Sequence, residues 1–232
     1  MNVPTENNIL LAIDSTESPF SFALFHNNIQ NTYSEWTAQS LSMELLDQLR
    51  KFLNKSKIDI NAIDRYAICN GPGGYSSLRV AVASFKGITT ALNKKIIGIS
   101  KLSATAYEVL SDNNTSFPNV ISFHKIRENF YIWSLYNKET VMQIDTSNKL
   151  NDFNEQSILE FPNQVTFCGD IPPSLQELIT TSKHKLTDYN INNVTTKNAS
   201  TIGALALMRN QFVDSKQLDV FYPLPPSIHK KK

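Results

Sequence analysis

Asn70-Gly71-Pro72-Gly73-Gly74-Tyr75-Ser76-Ser77-Leu78-Arg79 is the stretch that decides the fold. The chain has seven glycines in 232 residues, and three of them, Gly71, Gly73 and Gly74, fall within four positions. Such clustering is a local demand of the backbone, because glycine takes positive φ freely and lets another chain segment come close. Residues 66–69 in front of the turn form an apolar run of strand character. Behind it, residues 76–92 carry Leu78, Ala81, Phe85, Ile88 and Leu92 on one helical face. A strand-to-helix turn of this kind either presents N–H groups to an anion or lets strand and helix pack tightly, and the glycines alone do not separate the two. A phosphate loop would need Lys and Ser or Thr after the last glycine, where this chain has Tyr75-Ser76-Ser77. A nucleophile elbow would need glycine where Leu78 stands, so Ser76 is expected to cap the helix.

Upstream, residues 9–13 are an apolar run ending at Asp14, which reads as a buried strand. Phe20, Phe22 and Leu24 alternate with smaller residues, Asn27-Asn28 signals a turn, and a third extended segment runs to Trp36, giving an antiparallel meander. From Ser40 the period changes to that of a helix: Leu41, Leu45, Leu49 and Phe52 share a face, and Met43, Leu46 and Leu53 widen it. Downstream, residues 95–99 read as a strand and Ser100 as the cap of a helix to about residue 110. The polar residues 112–116 mark a boundary between a first lobe, 1–111, and a smaller second lobe, 112–232, with a C-terminal helix and tail. The second lobe is expected to hold strands at 120–123, 130–136 and 141–145 and helices at 173–181 and 200–212, with 189–198 as surface loop. The repeated meander suggests a duplicated α/β architecture of mixed sheets flanked by helices.

With 41% apolar residues the chain has ample material for a core. Its 22 basic and 21 acidic residues nearly cancel, and the one dense basic run is Lys230, Lys231 and Lys232. That balance excludes a protein that grips a phosphate backbone unaided. Cys69 and Cys168 are expected to be buried free thiols, as in a reducing cytoplasm. Met1 to Asn8 lack the pattern of a secretory leader, and no apolar run reaches membrane-spanning length. The histidines, His26, His124, His184 and His229, are scattered and offer no metal pair at helical spacing.

On the helix after the glycine turn, Ala83, Gly87 and Ala91 make a stripe of small residues four apart. Glycine in a helix interior costs about 1 kcal/mol relative to alanine, so Gly87 calls for a close approach. The neighbour is either another helix of this chain or a second protein.

Several of these segments resemble one family. Ile9-Leu10-Leu11-Ala12-Ile13-Asp14-Ser15-Thr16 is similar to its opening strand and phosphate-loop remnant, residues 70–83 to its glycine-proline-glycine turn and helix, and Lys86-Gly87-Ile88 and Ile97-Gly98-Ile99-Ser100 fit as well. The family is that of the bacterial tRNA threonylcarbamoyladenosine biosynthesis protein TsaB, also called YeaZ-like. The resemblance is good over about the first 110 residues. It departs where the family has Ser-Phe-Thr-Gly after the second glycine, at His124 where the family has Asp, and at the 225–229 ending.

The resemblance implies an actin-like (ASKHA, ribonuclease H-like) two-lobed fold and a non-catalytic subunit. It would partner a sister, TsaD, which transfers threonylcarbamoyl to adenosine 37 of tRNAs with the ATPase TsaE in the assembly. Under it, Asp14, Ser15 and Thr16 are a vestigial phosphate loop, no cofactor is needed, and tRNA is met only through the complex. Gly71, Pro72, Gly73, Gly74 and Arg79 form the turn, and Met43, Leu46, Leu53, Tyr75, Ala83, Gly87 and Ala91 form the docking face. That face would pair two copies as a homodimer when the chain is alone. A small-molecule kinase of the same superfamily would need an ATP pocket in the glycine-poor second lobe. A peptidase would need a metal pair or a serine site, and a degenerate scaffold for another partner is the third alternative.

Overall fold

The computed structural model describes residues 8–112, 117–143, 151–181, 188–192 and 198–223. Its first sheet is built from β1 (Ile9–Asp14), β2 (Phe20–His26), β3 (Ile29–Trp36), β4 (Arg65–Gly71) and β5 (Lys95–Ser100). The order is β3-β2-β1-β4-β5; β1 pairs antiparallel with β2 and parallel with β4, so the meander and the crossover strands share one mixed sheet. Asn27 and Asn28 both take positive φ, 52° and 66°, the two-residue turn whose twist matches that of a hairpin.

Strand parity sorts the side chains onto two faces. Leu11, Ile13, Phe22, Leu24, Tyr66 and Ile68 pack under α1 (Leu41–Ser56) and α2 (Tyr75–Ala91). Leu10, Ala12, Ala23, Phe25, Ala67 and Cys69 face the other way, toward α5 (Ala199–Arg209).

The second sheet repeats this connectivity. It contains β6 (Asn119–Arg127), β7 (Phe130–Asn137), β8 (Asn151–Asp152), β9 (Val165–Gly169) and β10 (Tyr189–Asn192), in the order β10-β9-β6-β7-β8. Its central strand β6 is antiparallel to β7 and parallel to β9, as β1 is to β2 and β4. Helix α3 (Lys101–Ser111) covers one face through Leu102, Ala106, Val109 and Leu110, and α4 (Leu175–Thr181) covers the other through Leu175 and Ile179. The α/β architecture of two mixed sheets flanked by helices is the expected one.

Four local expectations need correction. The C-terminal helix, placed in the second lobe by its position in the chain, packs on β1, β2 and β4 of the first sheet. Its small residues explain this: a Cβ on Gly203 would enter the Phe25 ring, so the helix lies flush on the sheet. The strand expected at 141–145 is absent over its described part, where Thr140–Met142 forms a 3-10 turn instead. Asn137 Oδ1 accepts from Thr140 N at 2.8 Å and locks that turn, while Asp145 lies outside the described residues. Of the expected loop at 189–198, residues 189–192 are strand β10, and 193–197 lie outside the described residues. Finally, α2 starts one residue before Ser76, with Gly74 at its cap position, whereas Ser100 caps α3 as expected by accepting from Ser103 N at 3.1 Å.

Candidate functional site

Two regions carry the candidate residues: the junction of the two sheets, where Glu17, His124 and Asp170 converge, and the outer face of α1 and α2. The junction is built on the loop after β1. Asp14 ends that strand at 4% exposure, and its Oδ1 accepts from Thr16 N at 2.9 Å and Thr16 Oγ1 at 2.7 Å. Burial pushes the Asp14 carboxyl above its ordinary range, against the pull of the Thr16 bonds and the Lys101 charge. Ser15 is wholly buried, and its hydroxyl has no hydrogen-bond partner among the described residues.

The glycine turn closes on this loop. Gly74 N donates to Thr16 O at 2.9 Å, and a Cβ on Gly73 would lie 2.7 Å from Thr16 Cβ and 2.9 Å from its Cα. On the other side, Gly71 sits at φ +124°, and a Cβ there would lie 2.6 Å from the Phe221 carbonyl oxygen. Phe221 N donates to Asn70 O at 2.8 Å, and Tyr222 packs its ring on Tyr75 at 4.8 Å. The glycines thus serve close packing between the first loop and the C-terminal segment. The Gly74 N–H and the Thr16 N–H are both engaged within the chain.

Facing the loop are groups from α3 and the second sheet. Lys101 Nζ lies 2.8 Å from Glu17 Oε2, and His124 Nδ1 lies 3.1 Å from Asp170 Oδ2. Asp170 also accepts from Lys125 N at 3.0 Å. Burial opposes ionisation of Asp170, but the His124 hydrogen bond, the Lys125 amide and nearby positive charge outweigh it and hold its carboxyl at about 2. Glu17, Lys101 and Asp170 escaped the sequence reading and His124 was read there as isolated, because they come from separate elements. The available signal was positional: Glu17 and Asp170 each stand just beyond an apolar strand.

The second region is open. Met43 is 82% and Leu46 57% exposed, and Tyr75, Ala83, Gly87 and Ala91 are all at the surface. A Cβ on Gly87 would meet nothing within 4 Å, so no neighbour among the described residues explains that glycine. Leu53 is 5% exposed and packs in the core beneath α1, so it meets this surface only as part of the floor of the groove between the helices. Between the helices runs a groove lined by Leu46, Leu49, Leu53, Ile58, Ile60 and Ile88, with Arg50 also lining it. Arg79 Nη1 donates to the Tyr75 hydroxyl at 3.1 Å and holds that ring at the start of α2.

No helix among the described residues is long and apolar enough to cross a membrane. The family described as tRNA N6-adenosine threonylcarbamoyltransferase, TsaD, matches residues 26–226. The chain is similar to the tRNA threonylcarbamoyladenosine biosynthesis protein TsaB of Buchnera aphidicola subsp. Baizongia pistaciae (strain Bp), with 27% identity over 130 residues, 56% of this chain and 58% of that protein. The protein of the same name from Buchnera aphidicola subsp. Schizaphis graminum (strain Sg) is 24% identical over 155 residues, 63% of this chain and 72% of the relative. The match therefore spans less than two thirds of the first relative's length. Among solved structures, YeaZ from Pseudomonas aeruginosa superposes with a TM-score of 0.69 at 18% identity, over 90% of this chain and 98% of that one. At that identity the likeness establishes the fold.

Proposed function

We propose, from the premise that this chain belongs to the TsaD family of tRNA N6-adenosine threonylcarbamoyltransferases as a TsaB/YeaZ-like member, that it is a non-catalytic subunit docking a catalytic TsaD sister. The observation that carries this reading is the open stripe of Ala83, Gly87 and Ala91 beside exposed Met43 and Leu46. Small residues let a foreign helix approach closely, and apolar surface of this kind is stabilised by being covered. In the assembly the chain supports the transfer of threonylcarbamoyl to adenosine 37, with TsaE as a further component and tRNA reached through the complex. Alone, the same face pairs two copies. The setting is the cytoplasm.

The non-catalytic part of the reading is supported by the first loop. Its Thr16 N–H is taken by Asp14 and the Gly74 N–H by Thr16 O, so neither is offered to a phosphate. Asp14, Ser15 and Thr16 are then structural remnants, and calorimetry with ATP should show no micromolar binding. A small-molecule kinase would show it.

Co-elution with the TsaD-like subunit of the same organism tests the docking face. Ala83→Glu combined with Gly87→Arg should abolish the complex and the homodimer while leaving the unfolding midpoint of the chain within experimental reach of the parent. Intact co-elution of the folded double variant would overturn the assignment.

A further inference from the structure

We propose that the junction of the two sheets holds a binding site for a divalent transition-metal ion of the zinc type, ligated by Glu17, His124 and Asp170. The proposal stands apart from the docking face, with which it shares no residue. Glu17 comes from the loop after β1, His124 from near the end of β6, and Asp170 from just beyond β9, so three separate elements converge on one point. One ligand atom from each lies within 4.8 Å of the other two. His124 Nδ1 and Asp170 Oδ2 are already 3.1 Å apart. Metal bonds of about 2.0–2.2 Å place neighbouring ligand atoms about 3 to 3.5 Å from one another. Only Glu17 must move inward, and its side chain, 43% exposed, would do so by giving up its 2.8 Å ion pair with Lys101.

The ligand types select the ion. One imidazole and two carboxylates form a mixed nitrogen and oxygen set of charge matching a divalent cation, which suits zinc and its neighbours; magnesium and calcium favour all-oxygen sites. Two of the three ligands are fixed in advance. His124 is 4% exposed on a paired strand, and Asp170 is oriented by Lys125 N at 3.0 Å. Partly exposed Glu17 provides the route of entry from solvent.

The cluster already contains a cation. Lys101 Nζ lies 2.8 Å from Glu17 Oε2, and its charge also acts on Asp14 and Asp170. Lys101 is therefore a built-in competitor that weakens metal binding, and removing its charge should strengthen it. The ion would replace the hydrogen bond between His124 and Asp170 and tie the first sheet's loop to the second sheet.

Titration of the full chain with zinc chloride by calorimetry, with magnesium chloride in parallel, tests the site. One zinc ion per chain is expected, with a higher thermal midpoint. His124→Ala and Glu17→Gln should each weaken zinc binding by more than about tenfold. Lys101→Met should strengthen it by about threefold or more, since a competing charge is removed. Glu17 is a partly exposed loop residue, so Glu17→Gln keeps the test valid if a buried variant fails to fold. The proposal is overturned by absence of zinc binding, by binding that Glu17→Gln leaves unchanged, by weaker binding in Lys101→Met, or by magnesium binding as tight as zinc.

Discussion

The glycine turn and the outer face of α2 are one helix apart in sequence, and both contain glycine where a larger residue would fit the pattern, yet their surroundings are opposite. At Gly73 the neighbouring backbone is so close that a Cβ would lie 2.9 Å from both Thr16 Cα and Thr16 O. At Gly87 a Cβ would meet nothing within 4 Å. The first glycine is explained inside the chain; the second has no explanation among the described residues. The same contrast runs through their environments. Around the turn the amides of Thr16 and Gly74 are hydrogen-bonded and the charges of Glu17, Lys101, His124 and Asp170 face one another. On the outer face, apolar Met43 and Leu46 stand in water. The bonded turn reports on how the chain folds, whereas a region left apolar and open reports on what covers it.

Gly73→Ala is the most damaging way to break that comparison. The Thr16 backbone cannot yield as a flexible side-chain tip would, so overpacking should lower stability by about 3 kcal/mol, read as a lower urea midpoint at unchanged slope. An unaltered midpoint would mean that the loop after β1 is loosely held. Asp170→Asn comes next. A carboxyl held at about 2 in the folded chain and in the ordinary range when unfolded contributes stability that is fully present above pH 4 and lost as pH falls toward 2. Discounted for the partial exposure of Asp170, that contribution is about 1–2 kcal/mol. Asp14, shifted upward, works in the opposite sense and gains relative stability on acidification. Asp170→Asn should therefore lower stability at neutral pH and flatten its decline below pH 4, as measured by urea unfolding across that range in metal-free buffer.

The first sheet was legible because its signals are local and repeated. Alternation in β2, the Asn27-Asn28 turn and the four-residue spacing in α1 each act over a few positions, and the structure follows them. The second sheet was less so. Tyr189-Asn190-Ile191-Asn192 carries little apolar surface because β10 is an edge strand pairing only with β9, so composition pointed to loop. For α5, apolar small residues signal a buried helix without naming which sheet it covers. Leu53 shows the same limit on a smaller scale: the width of an apolar stripe does not reveal that this residue is nearly buried while still lining the groove. For the Glu17, His124 and Asp170 cluster the sequence offered only strand-end positions and no pairing, since its members meet only after two sheets have formed and come together.

Gly87→Ala gives the smallest effect and the sharpest distinction. In the helix interior alanine is favoured over glycine by about 1 kcal/mol, chiefly because the unfolded chain loses less backbone freedom on folding. With nothing within 4 Å of the added methyl, no clash offsets the gain, so the isolated chain should become more stable by up to about that amount. Pairing by a second copy would raise stability with concentration, so the measurement belongs at the lowest usable concentration. If a partner helix lies on the Ala83, Gly87 and Ala91 stripe, the same methyl intrudes on it. Affinity for the TsaD-like subunit should then fall while the chain alone gains stability. Improvement in both measurements would show that Gly87 is not at the line of closest approach and would shift the docking surface toward Met43 and Leu46. A loss in both would point to an internal role for Gly87 that the open space around it contradicts.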